Sequence, residues 1–204
     1  MADTSPIVLA FDTSAPRCAA AVLVGDRIAA QAEEPMQKGQ AERLLGLCED
    51  VLASAGLSFQ DLAAIGVGIG PGNFTGIRIS VAAARGLALG LQVPAIGLSG
   101  FDALRFGYAG PCATAISARR DHLYVQVHDG KSAGAPSMVA SDAIPAHDGP
   151  LIGVGGVQPL APTAEAIARL AAQRLGTPQP RPAPLYLRPA DAAPARDAAP
   201  VILP

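Results

Sequence analysis

The segment GIGPGNFTGIRIS, from Gly68 to Ser80, constrains the fold more than any other part of the chain. An apolar run from Ala63 to Ile69 ends in Gly70-Pro71-Gly72, the pattern of a buried strand stopped by turn residues. Beyond the turn, Ile77, Val81, Ala84 and Ala88 recur at helical spacing, while Ile79, Ala83, Gly86 and Gly90 form a second, small-residue stripe. Strand, tight turn and helix therefore follow one another. The turn lacks the Gly-Lys pair of a phosphate-binding loop, and Pro71 stands where a dinucleotide fingerprint needs its third glycine. The glycines are expected to be structural. Gly70 and Gly72 would supply backbone angles closed to other residues, Asn73 or Thr75 would cap the helix, and Gly76 would allow close approach to a neighbour. The competing expectation is an anion site made by backbone N–H groups at the helix start.

With 204 residues, half of them hydrophobic and 16% charged, the chain has enough apolar material for one domain or two small lobes. Aromatics make up only 4% and Trp is absent, which argues against stacking platforms for single-stranded nucleic acid. A net charge of -2 argues against unaided wrapping of a phosphate backbone, so any nucleic acid is expected to be reached only through a partner. Cys18, Cys48 and Cys112 are far apart with no CxxC spacing, as in a reducing cytoplasm. No secretory signal is apparent at the amino terminus. Arg78, Arg85, Gln92 and Pro94 interrupt the longest apolar region, so no membrane span is expected.

Ile7 to Asp12, Cys18 to Val24 and Arg27 to Glu34 read as three strands with short turns, an antiparallel opening. Gln40 to Ala55 reads as an amphipathic helix with Leu44, Cys48 and Val51 on its apolar side, closed by Gly56. With the segment above and a strand from Val93 to Gly97, the order is β-β-β-α-β-α-β, a mixed α/β lobe over residues 6–106. A reduced second lobe, 107–176, would hold strands Cys112 to Ser117, Leu123 to His128 and Leu151 to Val154, then a helix from Thr163 to Leu175 capped by Thr163. Residues 177–204 form a Pro- and Ala-rich tail whose apolar anchor is Leu185-Tyr186-Leu187-Arg188.

Ile7 to Ser14, the turn Gly70 to Arg78, Ala115 to Arg120 and Leu185 to Arg188 together resemble one family, the bacterial tRNA threonylcarbamoyladenosine biosynthesis proteins TsaB. The resemblance implies the two-lobed actin-like fold of sugar kinases and ribonuclease H. It also implies a non-catalytic paralogue of TsaD, the enzyme that transfers a threonylcarbamoyl group from an adenylate to N6 of the adenosine beside the tRNA anticodon. The implied partners are TsaD in a heterodimer and the ATPase TsaE docked on it, with a homodimer as the alternative pairing. The catalytic relative holds its metal with two histidines four apart on a helix. Here His122, His128 and His147 are not four apart, and Gly39-Gln40-Ala41-Glu42 stands where many relatives place a histidine. Neither a metal nor another cofactor is expected.

Asp12-Thr13-Ser14 lies where actin-like ATPases carry an acidic residue and a phosphate-holding hairpin, and it is the best nucleotide candidate in the chain. A structural turn is the favoured expectation, because Ala15-Pro16-Arg17 removes an N–H donor and adds bulk where the phosphate hairpin of active relatives is small and polar. Gly153 to Val157 has the glycine content of an adenosine-side loop or of a plain turn. His122 and His128 alternate with apolar residues, which puts both on one solvated strand face, about 20 Å apart and too distant to share a metal. Arg119-Arg120 reads as a solvated turn. Ser99 lacks the second glycine of a nucleophile elbow, which removes a serine hydrolase. The partner surface is assigned to Leu44, Cys48 and Val51 beside Ile79, Ala83, Gly86 and Gly90, where small residues permit close helix packing. An independent nucleotide hydrolase or peptidase is the rival reading.

Overall fold

The structure, a computed structural model, describes residues 5–187. Arg188 and the remainder of the expected tail lie outside the described residues. The chain opens with β1 (Ile7–Asp12), β2 (Arg17–Val24) and β3 (Arg27–Pro35), then α1 (Gln40–Ser54), β4 (Ala64–Gly68), α2 (Phe74–Leu91) and β5 (Ala95–Leu98). These strands form a five-stranded sheet in the order β3-β2-β1-β4-β5, antiparallel on the β1, β2, β3 side and parallel from β1 through β4 to β5. The parallel pairs need crossovers, and α1 and α2 supply them.

Alternation along β1 divides the core. Leu9 and Phe11 point to the side covered by α1 and α2, where they join Leu44, Leu47, Cys48, Val51 and Leu52. Val8 and Ala10 point to the opposite side. The mixed α/β architecture expected from the sequence is therefore present, with a helix layer on each side of the first sheet.

The second sheet runs β8-β7-β6-β9, from β6 (Cys112–Ser117), β7 (His122–His128), β8 (Ser137–Ala140) and β9 (Leu151–Gly153). Its core is small, built on Ala113, Ala115, Leu123 and Val125. A short helix, α3 (Gly100–Arg105), leads into it. Neither α3 nor β8 is legible as a periodic pattern. The one local sign of α3 is a capping box, in which the Ser99 hydroxyl accepts from the Asp102 N–H and the Asp102 carboxylate accepts from the Ser99 N–H.

Three expectations change. The final helix, α4 (Thr163–Arg174), does not stay with the second sheet; its face of Ala164, Ala166, Ile167, Ala168 and Ala171 covers the first sheet at Val8, Ala10, Ala64 and Ala21. The cause is fit, because this side of the first sheet is lined by alanine and by Gly66, whose added Cβ would stand 3.0 Å from Ala171 Cβ, and only an alanine-rich helix approaches that closely. Thr163 is not the cap of α4. Pro162 holds that position, and the Thr163 hydroxyl accepts a 2.7 Å hydrogen bond from Arg17 Nη2. His128 is not on a solvated face; it is 3% exposed, lies 3.4 Å from the Thr114 hydroxyl, and burial holds its imidazole below the usual histidine range. His122 does reach solvent, at 2.6 Å from the Arg120 carbonyl.

Ala171→Leu is expected to destabilise the protein by about 1–3 kcal/mol through overpacking against Gly66, read as a lower urea midpoint with an unchanged slope. The buried neutral His128 takes up a proton less readily in the folded chain than in the unfolded chain. Its contribution is therefore complete above the unfolded pKa and is lost as pH falls below about 6.5. His128→Asn is expected to flatten the decline of Tm between about pH 7 and 5.

Candidate functional site

The glycine turn is locked onto the β1–β2 hairpin. An added Cβ on Gly68 would run into the Asp12 carboxylate, on Gly72 into the Ser14 carbonyl, and on Gly76 into the Thr13 carbonyl. The contacts are hydrogen-bonded as well: the Thr13 hydroxyl donates to the Gly76 carbonyl at 2.7 Å, and the Asn73 N–H donates to the Ser14 carbonyl at 2.7 Å. Gly70 carries φ +94°, as its glycine requires. Gly72 is not in the left-handed region, so its missing side chain is explained by the approach to Ser14 rather than by backbone angle. Asn73 is the cap of α2, its Oδ1 accepting from the N–H groups of Thr75 and Gly76 at 3.0 and 3.1 Å, whereas Thr75 is exposed and donates only its backbone N–H.

The same turn collects two further segments. The Gly70 carbonyl accepts from Gly100 N–H at 2.8 Å, and the Leu185 N–H donates to the Ile69 carbonyl at 2.8 Å. Tyr186 then stacks on Phe74 with ring centroids 4.6 Å apart, and the Arg78 guanidinium lies 3.8 Å over Phe74 while donating to the Tyr186 hydroxyl at 2.8 Å. Leu185 and Tyr186 thus anchor the chain's carboxy-terminal side as the sequence suggests.

Between the two sheets lies a cleft of about 980 Å³ lined by Asp12, Ser14, Arg17, Asn73, Arg119 and Tyr186, among others. The sequence places Asp12, Thr13 and Ser14 at a nucleotide position, and all three do stand at this cleft or directly beneath it. Their donors are already engaged. Asp12 is 2% exposed, its Oδ1 accepts from the Ser14 N–H at 3.1 Å and from the Ser14 hydroxyl at 2.9 Å, and burial pushes its carboxyl above the usual range. The Thr13 hydroxyl is committed to Gly76 and Pro16 has no N–H. The arrangement suits a structural turn better than a phosphate cradle. Among the described residues, no three His, Cys, Asp or Glu side chains converge as a metal site requires.

The partner surface inferred from the sequence divides in two. Leu44, Cys48 and Val51 lie in the core beneath α1 at 1%, 0% and 3% exposure and have no surface to offer. Burial also pushes the Cys18 thiol up to about 11 and raises that of Cys48, which favours the protonated form of both. Ile79 and Ala83 sit half-buried against the same core. Gly86 and Gly90 are exposed on the outer face of α2, with nothing within 4 Å of an added Cβ. Leu89, at 81% exposure, joins them and was missed; its position three residues beyond Gly86 on the same helix is the signal that finds it. By length and composition α2 is apolar enough to cross a membrane, yet Ile77, Ser80, Val81 and Ala84 are buried. What remains is an outer face of small and apolar residues flanked by Arg78 and Arg85.

Compared with known proteins, residues 31–175 match the family described as "TsaD: tRNA N6-adenosine threonylcarbamoyltransferase". The chain is 35% identical to the Escherichia coli tRNA threonylcarbamoyladenosine biosynthesis protein TsaB over 57% of its own length and 52% of that protein's. This chain belongs to the TsaB proteins of the TsaD family. It spans about half the length of the curated TsaB relatives it first matches, and 94% of an uncharacterized Mycobacterium tuberculosis protein at 33% identity. The solved structure of YeaZ from Pseudomonas aeruginosa superposes with a TM-score of 0.72 at 30% identity, covering 89% of this chain and all of that one. A second Pseudomonas aeruginosa structure, described as similar to the peptidase YeaZ, gives 0.75 at 28% identity over 90% of this chain and all of that one. The actin-like fold is shared with these YeaZ structures.

Gly76→Ala is expected to cost about 2–3 kcal/mol, since its Cβ meets a backbone carbonyl that cannot yield. Gly86→Ala should instead gain up to about 1 kcal/mol from helix propensity; chemical denaturation of both variants checks the contrast. Because Asp12 binds its proton more tightly folded than unfolded, it costs stability as pH rises through its folded pKa. Asp12→Asn should therefore improve Tm relative to the parent more at pH 8 than at pH 4.

Proposed function

We propose that this protein is a non-catalytic subunit for tRNA N6-threonylcarbamoyladenosine formation in the cytoplasm, pairing with its catalytic paralogue TsaD and supporting docking of TsaE. The observation that carries the reading is the outer face of α2, where Gly86, Leu89 and Gly90 stand exposed beside Ala82 and Arg85, opposite the face that packs Ile77, Val81 and Ala84 into the core. Beside Arg85 such a surface is small and apolar and free of projecting side chains at the glycines, so a second helix is able to approach its backbone closely there. When the paralogue is absent, the same face pairs with a second copy in a two-fold homodimer. Contact with tRNA would come through the complex, in keeping with the chain's net charge of -2.

The rival reading, an independent nucleotide hydrolase or peptidase, has the word peptidase in the description of one structural neighbour in its favour. The residues support it poorly. Ser99 accepts the Asp102 N–H as the cap of α3, Asp12 is buried under its own hairpin, and the imidazoles of His122 and His147 lie on local backbone carbonyls. Size-exclusion chromatography with the paralogue tests the proposal. Gly86→Leu and Gly90→Leu are expected to lose co-elution at concentrations where the parent forms a complex, with unchanged circular dichroism. Normal co-elution of both variants removes the α2 face from the interface, and steady ATP hydrolysis by the isolated chain that disappears in Asp12→Ala would overturn the subunit role.

A further inference from the structure

A second groove, of about 530 Å³, lies on the flank of α2 away from α1. Its floor is apolar, formed by Val93, Ala95 and Ile96 at the start of β5, the edge strand of the first sheet, with Leu175 and Pro182 opposite the exposed Leu89. Three arginines line it, Arg85 from α2, Arg174 from the end of α4 and Arg181 from the segment that follows, and no acidic residue does. The nearest charge balance is Asp102, 3.5 Å from Arg174 Nη2. Among the described residues, Arg85 and Arg181 have neither an ion pair nor a side-chain hydrogen bond, and both are exposed. On a chain of net charge -2, this concentrates positive charge around an apolar trough.

We infer that this groove docks an acidic, leucine-bearing segment of a partner protein, its apolar side chains on the Val93–Ile96 floor and its carboxylates on Arg85 and Arg181. Charge complementarity selects the sign of the occupant, and the floor selects its apolar component. A nucleic acid strand fits less well. None of the residues lining the groove is aromatic, so bases have nothing to stack on, and a phosphate backbone would leave the floor uncovered. The groove borders the α2 outer face and shares Gly86 and Leu89 with it, but its floor at Val93, Ala95 and Ile96 and its arginines Arg174 and Arg181 lie off α2, and the test concerns the isolated chain.

The test is fluorescence anisotropy of the full chain with a labelled peptide of Leu-Glu-Glu repeats. Saturable binding is expected, weakening with added salt and weakening about tenfold in Arg85→Ala/Arg181→Ala, as two exposed ion pairs would together provide. Both arginines are exposed, so the variant should fold, which circular dichroism verifies. Arg27→Ala, on β3, removes an exposed arginine elsewhere and should leave binding unchanged. A peptide of Ser-Glu-Glu repeats should bind several-fold more weakly. The inference is overturned by absence of saturable binding, by equal binding in the double variant, by equal binding of the serine peptide, which would mean charge attraction alone, or by a single-stranded RNA of similar length that binds more tightly and depends on the same arginines.

Discussion

The contact between the glycine turn and the first hairpin organises the molecule. Thr13 and Ser14 carbonyls occupy the space that side chains at Gly76 and Gly72 would fill, and the Thr13 hydroxyl and Asn73 N–H close the gap with hydrogen bonds. Hairpin, strand β4 and helix α2 are thereby fixed to one another within the width of a backbone. From the same turn hang the start of α3, through Gly70 and Gly100, and the carboxy-terminal segment, through Ile69 and Leu185. Contacts this close fill the space between the hairpin and the turn, so the cleft opens beside this joint rather than within it. The feature that resembles a phosphate loop is better explained as a joint.

Much of this was legible in the sequence because it is written in local chemistry. Glycine, proline and asparagine around residues 70–76 specify a turn and a cap, and alternation in β1 and helical spacing in α1 and α2 specify which faces meet. The first seven elements follow in the expected order. The partner of Gly76, in contrast, lies 63 positions away at Thr13, and no local pattern states that distance. The same limit explains α4. Its alanine stripe announces close packing but not against which sheet, and the choice was made by the alanines and glycine of the first sheet, distant in the chain.

The candidate site was read with similar unevenness. An apolar side chain at helical spacing faces either the core or a partner, and for Leu44, Cys48 and Val51 the core claimed all three. For α2 the sheet covers only one side, so the opposite residues, including Leu89, remain outside. His128 shows the reverse case: strand alternation assigned its face correctly as shared with polar residues, but that face is covered at its His128 end, where the ring is buried against Thr114, while His122 stays at the surface. Periodicity reports relative orientation. Coverage depends on what the rest of the chain brings.

The return of α4 to the first sheet gives the second sheet an unusual standing. The polypeptide leaves the larger sheet after β5 and comes back at Thr163, so the β6–β9 unit is inserted within a body whose two flanking segments are already joined. Arg17 grips Thr163 at that point of return. An insertion whose ends are already joined gains less freedom when its own small core loosens than a free segment would, and the entropy of closing a loop of this kind rises only slowly with its length. The minor sheet is thus tied to the major one at both ends, and with its small core of Ala113, Ala115, Leu123 and Val125 it supplies one wall of the cleft.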